Sequence, residues 1–177
     1  MRKKIIIILV LLPTLLMAQT EKKQDAWGSM KLFVGMWQGE GEGKSGVSKV
    51  WKEWRFVLNG KFLQMKTRAV FSPQKKNPEG EVHEDEGYFS LDRARRQIVF
   101  RQFHVEGFII QYVLENISED RKRLIFVAEQ IENGPPGLQA KLTFRILDVD
   151  TIEERFELSF PGKEFDCYNI NTIKRKK

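Results

Sequence analysis

The chain predicts an all-β protein, a ten-stranded antiparallel up-and-down β-barrel with a short N-terminal helix. Three observations carry that prediction. From Gly35 onward helical periodicity stops, and short alternating segments separated by turn residues take over. The stretch Leu32-Phe33-Val34-Gly35-Met36-Trp37-Gln38-Gly39-Glu40-Gly41-Glu42-Gly43 sets Gly39, Gly41 and Gly43 on one face with Trp37, and Glu40 and Glu42 on the other with Gln38. A row of strand glycines marks close backbone approach or a sharp bend. That suits the first strand of a small closed barrel, with Trp37 plugging one end; the alternative is a flexible glycine-rich loop. Third, the hairpin turns, taken one at a time, put apolar side chains on one face and paired charges on the other.

The first 18 residues read as a secretory signal peptide: Met1-Arg2-Lys3-Lys4, an apolar run from Ile5 to Met17, then Ala18. Cleavage after Ala18 leaves Gln19 first and a mature chain of about 159 of the 177 residues, one domain with a real core. The run is short for a membrane span and contains Pro13; an uncleaved anchor is the alternative. No Cys follows the run, which argues against a lipid anchor. The expectation is an exported bacterial protein, periplasmic or secreted, with no stable membrane anchor after cleavage. Without Arg2, Lys3 and Lys4 the 30 basic residues fall to 27 against 24 acidic ones, so the high charge is partly the leader's. The remaining basic clusters sit at turns and in the tail without interleaved aromatics, so no nucleic acid is expected as a partner. The single Cys167 cannot form an intrachain disulfide and reads as a small buried hydrophobe.

Residues 19–31 form a polar spacer and the start of a short helix, and the barrel domain spans 32–177. Asp25 can cap that helix, which runs through Phe33 with Trp27, Met30, Phe33 and Val34 as its stripe. Strands are expected at about 36–43, 47–58, 61–71, 83–91, 96–104, 108–116, 122–130, 138–147, 151–160 and 163–173. Ten strands in one domain must close or fold over to cover their edges.

Asn59-Gly60 predicts a two-residue type I′ turn that pairs Phe56 with Leu63, Trp54 with Met65, Lys52 with Thr67 and Val50 with Ala69. The outer face then pairs Glu53 with Lys66 as an ion pair and Trp51 with Arg68 as a cation–π contact. A turn at Asp92-Arg93-Ala94-Arg95 pairs Phe89 with Ile98, Gly87 with Phe100, Asp85 with Gln102 and His83 with His104. A three-residue loop at Val105-Glu106-Gly107 pairs Gln102 with Ile110 and Phe100 with Tyr112. A loop at 148–150 pairs Ile146 with Ile152, Phe144 with Glu154, Leu142 with Phe156 and Leu138 with Phe160, with Arg145–Glu153 and Lys141–Glu157 outside.

The inner face is therefore aromatic, with Trp54, Phe56, Phe89, Phe100, Tyr112, Phe144, Phe156 and Phe160, yet it carries Lys52, Thr67, His83, Asp85, Gln102, His104 and Glu154. A ten-stranded barrel is wide enough to leave a cavity. Its buried charges must pair, hold water or meet a ligand; the alternative puts them at wet rims. Candidate ligand-binding residues are Trp37, Lys52, Trp54, Thr67, His83, Asp85, Phe100, Gln102, His104 and Tyr112, with Lys52 a partner for an anionic head group. His83 and His104 can share a metal with Asp85 or Glu106, act as acid and base, or stand idle at the rim. The sequence alone assigns no metal ligand and no catalytic residue: it has no nucleophile elbow, phosphate loop or Cys–His pair.

Gly35-x-Trp37-x-Gly39-x-Gly41-x-Gly43 after a short helix resembles the opening of the nitrobindin-type haem-binding β-barrels, relatives of the lipocalin and fatty-acid-binding calycins. His83-Glu84-Asp85-Glu86-Gly87-Tyr88-Phe89 and Arg155-Phe156-Glu157-Leu158 are similar to later stretches of that family. The resemblance covers most of the mature chain and implies a ten-stranded barrel, haem as cofactor and peroxynitrite-isomerising chemistry. The family's opening motif continues into a Tyr-Pro-Thr-Ile-like turn, where this chain has Lys44-Ser45-Gly46-Val47. The family's iron is held by a His on the last strand, where this chain has none; Tyr168 or Cys167 would have to serve. Asn59-Gly60-Lys61-Phe62-Leu63 and Gly87-Tyr88-Phe89 also resemble uncharacterised calycin-like bacterial domains. Three readings stand side by side: a non-enzymatic barrel binding a small apolar or amphipathic molecule, a haem protein, and an interaction module with a filled core.

Overall fold

The computed structural model describes residues 27–177. The expected signal peptide, the Asp25 cap and most of the spacer lie outside them. Ten antiparallel strands close into one barrel in sequence order, the first pairing with the last. They are β1 (Gly35–Gly43), β2 (Gly46–Val57), β3 (Phe62–Phe71), β4 (Glu81–Asp92) and β5 (Gln97–His104), then β6 (Ile109–Ile117), β7 (Arg123–Glu132), β8 (Gln139–Asp148), β9 (Thr151–Ser159) and β10 (Asp166–Arg175). Every expected strand is present. The expected N-terminal helix is a single short 3-10 helix, Gly28–Phe33, which buries Met30 and Phe33. Trp37 completes that plug, donating its indole N–H to the Phe33 carbonyl at 2.7 Å. Trp27 packs edge-on against Phe56, centroids 5.3 Å apart.

The β2–β3 register agrees with the expected one pair for pair, Val50↔Ala69 through Phe56↔Leu63. Asn59 and Gly60 both take positive φ, as a type I′ turn demands. The β5–β6 and β8–β9 registers also agree where both are defined, and Arg145–Glu153 and Lys141–Glu157 close at 2.9 and 3.1 Å outside. The β4–β5 register differs. Asp85 faces His104, Gly87 faces Gln102 and Phe89 faces Phe100, two residues off the expected pairing. The cause is the turn. Asp92 pairs with Gln97, its carboxylate accepts the Arg95 N–H at 3.1 Å, and Arg96 takes the left-handed conformation at φ 52°. A two-residue shift keeps every side chain on its face, so the inner set survives while His83 no longer lies opposite His104.

Three smaller features also differ from expectation. Lys66 and Arg68 reach Glu86 and Glu84 on β4, at 3.6 and 2.6 Å, rather than Glu53 and Trp51 on β2. Phe160 lies beyond the end of β9 and is 48% exposed, not inward. Cys167 is half-buried beside a β-bulge in β10 rather than in the core.

The glycines of β1 answer to what lies over them. A side chain at Gly39 would strike the backbone of Thr172 and Ile173, and one at Gly41 would strike the side chains of Asn171 and Ser48. Beyond Trp37, β1 therefore lies bare on its inner face, and Lys52 of β2 meets Glu154 of β9 across β1 and β10. The ammonium is 2.7 Å from both carboxylate oxygens and 3.0 Å from Thr67 Oγ1; Asn171 Nδ2 donates to Glu154 Oε1 at 3.0 Å. Both charges are buried. Breaking a buried pair by removing one partner costs about 3–5 kcal/mol, whereas removing both is far milder. Lys52→Met should therefore lower the unfolding free energy by about 3–5 kcal/mol, and Lys52→Met with Glu154→Leu should recover most of it in a urea titration; an unperturbed single variant would show the pair contributes nothing.

Candidate functional site

The barrel interior divides along its axis. At the plugged end, Phe33, Trp54 and Phe144 meet at centroid distances of 5.2–6.4 Å. Next to them Phe89 stacks on Phe100 at 3.9 Å, Phe100 on Tyr112 at 5.7 Å, and Phe126 stands edge-on to Phe89 and Phe144. These rings are buried. They fill much of the space that a ten-stranded barrel offers.

The expected polar residues fall into one row and one cluster. Trp37, Lys52, Thr67, Asp85 and His104 are consecutive register partners across β1 to β5. Because strands tilt in a barrel, this row climbs from the plugged end at β1 to the opposite mouth at β5. Gln102 and His83 flank it on the same face, and Trp54 and Phe100 belong to the aromatic packing beneath. Of the charged groups in the row, Lys52 is already matched by Glu154, so it does not await an anionic head group. A cleft of about 580 Å³ also touches this row, but its other borders, Met36, Trp51, Glu53, Lys66, Arg68 and Phe103 among them, are the outward neighbours on the same strands. That cleft is a groove on the outer surface.

At the mouth, His83, Asp85 and His104 converge. His83 Nε2 and His104 Nδ1 lie 3.0 and 2.8 Å from the same oxygen, Asp85 Oδ1. His83 Nδ1 lies 2.9 Å from Glu106 Oε1 and 3.7 Å from Glu81. Gln102 donates to Asp85 Oδ2 at 3.2 Å, and His104 stacks on Phe108 at 4.2 Å. The polar contact with Asp85 outweighs burial and, with Glu106 and Glu81 adding to it, holds the His83 imidazole up to about 9. Burial works to raise the Asp85 carboxyl, but the contacts from His104 and His83 hold it well below the usual carboxylate range.

Besides Asp85 Oδ1, four buried side-chain atoms find no hydrogen-bond partner among the described residues: Ser48 Oγ, Trp54 Nε1, His104 Nε2 and Tyr112 OH. All belong to inward-facing residues. Burial, then the nearby Asp85 and Glu154 carboxylates, push the Tyr112 hydroxyl well above its ordinary range, so it stays protonated as a donor. Sequence reasoning missed Ser48, Asn171 and Phe126 as interior groups. β10 and β7 carry no two-residue turn from which their registers could be read, although the alternation Asn169, Asn171, Ile173 would have marked the inner face of β10.

The haem that the resemblance implies can be tested against these residues. A porphyrin needs a flat slot and an axial ligand. The rings from Phe33 to Phe144 pack against one another in the interior, and Tyr168 is 41% exposed, edge-on to Phe156 at 5.9 Å. The residues present do not fit a haem.

No family model matches the chain, and no curated protein does. Among solved structures, the chain is similar to the crystal structure of Rv2717c from M. tuberculosis, with a TM-score of 0.66 at 15% identity over 86% of this chain and 98% of that one. A redesigned β-barrel, b11L5F_LGL, is more distant, with a TM-score of 0.43 at 9% identity over 83% of this chain and 94% of that one. The first likeness shows the fold, a closed β-barrel.

The His83 imidazole carries a pH signature. Its proton is held up to about 9 in the folded chain against about 6.5 in an unfolded one. Its contribution to stability is complete below about 6.5 and lost as pH rises through about 9. In metal-free protein the urea midpoint should fall across that window, and His83→Gln should flatten the fall; parallel profiles for the two proteins would refute the assignment.

Proposed function

We propose that the barrel binds a small, mainly apolar molecule that carries one polar group accepting or exchanging hydrogen bonds. The observation behind this reading is the set of unpartnered atoms, Ser48 Oγ, Trp54 Nε1, His104 Nε2 and Tyr112 OH, in an otherwise aromatic interior. An unmatched buried polar group costs about 1–3 kcal/mol, so such atoms call for a ligand or ordered water. An apolar site with a few convergent polar groups is the usual form of a small-molecule pocket. The internal match of Lys52 by Glu154 favours a neutral polar group over an anion. The close ring packing favours a ligand the size of a substituted phenol over a fatty acid or a porphyrin. The same packing also supports the second reading, a filled barrel whose polar atoms hold only water.

Titration with p-cresol, followed by calorimetry and by native mass spectrometry of the protein as purified, separates the two. Saturable binding that weakens about tenfold in Tyr112→Phe, the loss of one hydrogen bond, supports the ligand reading. Ordered water on all four atoms, with no cresol uptake, supports the filled barrel.

The motif resemblance supports a place for the chain among divergent nitrobindin-type barrels, without their haem. The basic start and apolar run at residues 1–18 support export. Intact mass of protein recovered from a bacterial periplasm should correspond to a chain beginning at Gln19; a mass retaining Met1 in a membrane fraction would point to an anchor.

A further inference from the structure

We propose that His83, Asp85 and His104 form a three-ligand site for a divalent transition-metal ion, Zn²⁺ in class, at the mouth of the barrel. The inference does not depend on what the interior binds.

Position comes from the sheet. Asp85 and His104 are direct register partners on β4 and β5. His83 sits two residues before Asp85, hence on the same face. The three ligand atoms lie within 4.8 Å of one another. Metal bonds of about 2.1 Å place neighbouring ligand atoms about 3 Å apart at right angles and somewhat further in a tetrahedron. The two measured spacings to Asp85 Oδ1, 3.0 and 2.8 Å, fall at that edge length.

Direction is a separate observation. Despite these short approaches, Asp85 Oδ1 is buried and accepts no well-directed hydrogen bond. An oxygen approached by two imidazole nitrogens at 3.0 and 2.8 Å yet bonded by neither is available to an ion that all three share. Among the described residues no other group answers that oxygen.

The surroundings are those of a metal centre. Ligating imidazoles and carboxylates are commonly oriented by hydrogen bonds on their other polar atom. Glu106 faces the far nitrogen of His83 at 2.9 Å, and Gln102 holds the far oxygen of Asp85 at 3.2 Å. Phe108 fixes the plane of the His104 ring. With neutral imidazoles the ligand set carries one negative charge, and Glu106 with Glu81 adds two more, so a dication sits in surroundings of opposite charge. Two imidazoles favour zinc, iron, nickel or copper over magnesium or calcium, which prefer oxygen throughout. Three protein ligands leave a coordination position open, as in exchangeable rather than purely structural sites. The His83 side chain keeps 23% of its surface exposed, so the ion can approach from solvent.

His83 and His104 are the chain's two histidines, so imidazole-dependent binding is confined to this mouth. The test takes the mature chain through chelator dialysis, then titrates it with Co²⁺ by visible absorption and with Zn²⁺ by calorimetry, with Mg²⁺ as the control. One equivalent of each transition ion should bind, with Co²⁺ showing ligand-field bands and Mg²⁺ not competing. Asp85→Asn and His104→Gln, checked for fold by circular dichroism, should each abolish that stoichiometric binding. Glu106→Gln should keep the stoichiometry and weaken affinity about tenfold or more. Wild-type protein that binds neither ion stoichiometrically overturns the proposal. So does binding that survives in His104→Gln, which would place the ion on the exposed Glu81, His83 and Glu106 instead. Should Asp85→Asn fail to fold, His104→Gln and the imidazole signals of the folded wild type, perturbed together on Zn²⁺ addition or not at all, still decide.

Discussion

The buried ion pair between Lys52 and Glu154 is the constraint around which the interior is arranged. It joins β2 to β9 across two intervening strands, and Gly41 of β1 leaves the room in which Asn171 of β10 sits to hold Glu154. Thr67 and Asn171 satisfy the remaining valences. Charges this deeply buried offset their desolvation only when geometry and hydrogen bonding are both complete. Slipping β2 or β9 by one residue would turn one partner outward and strand the other. The pair thus contributes more to a unique register than to net stability.

Above and below that layer the barrel changes character. The 3-10 helix, Trp37 and the packed rings make the closed end dry. The mouth at β4–β5 is wet, acidic and built on imidazoles. Between them lies Tyr112 OH, within electrostatic range of both the Asp85 and Glu154 carboxylates. A molecule entering from the mouth would meet polar groups first and aromatic faces second, the reverse of a barrel that takes up a lipid by its tail through an apolar rim.

Much of this was legible in the sequence, and for physical reasons. Asn59-Gly60 accepts few backbone conformations, so it fixed a register across eight or more residues of β2 and β3. Alternation alone then sorts Lys52, Thr67 and Glu154 inward. The β4–β5 register escaped because Arg96, not glycine, takes the left-handed position, and because a two-residue shift leaves the inside–outside pattern unchanged. Contacts across the barrel escaped for another reason: turn chemistry reports neighbours along the chain, while the Lys52–Glu154 meeting depends on closure, which no local pattern encodes. The convergence of both imidazoles on one carboxylate oxygen needed the corrected register, since the expected one set Asp85 opposite Gln102.

The pairing of β1 with β10 also bears on how the chain reaches its native state. Beyond Trp37, β1 offers the core only glycines on its inner face, and its partner on one flank is β10, where Arg175 donates to the Leu32 and Val34 carbonyls and lies over the Trp37 ring. Contacts so distant along the chain form late, because loop-closure entropy must be overcome before they stabilise anything. Until β10 is in place, β1 and β9 each present an open edge. The barrel therefore has no half-finished form worth keeping: folding can complete only after β10 has been made and has paired with both β9 and β1.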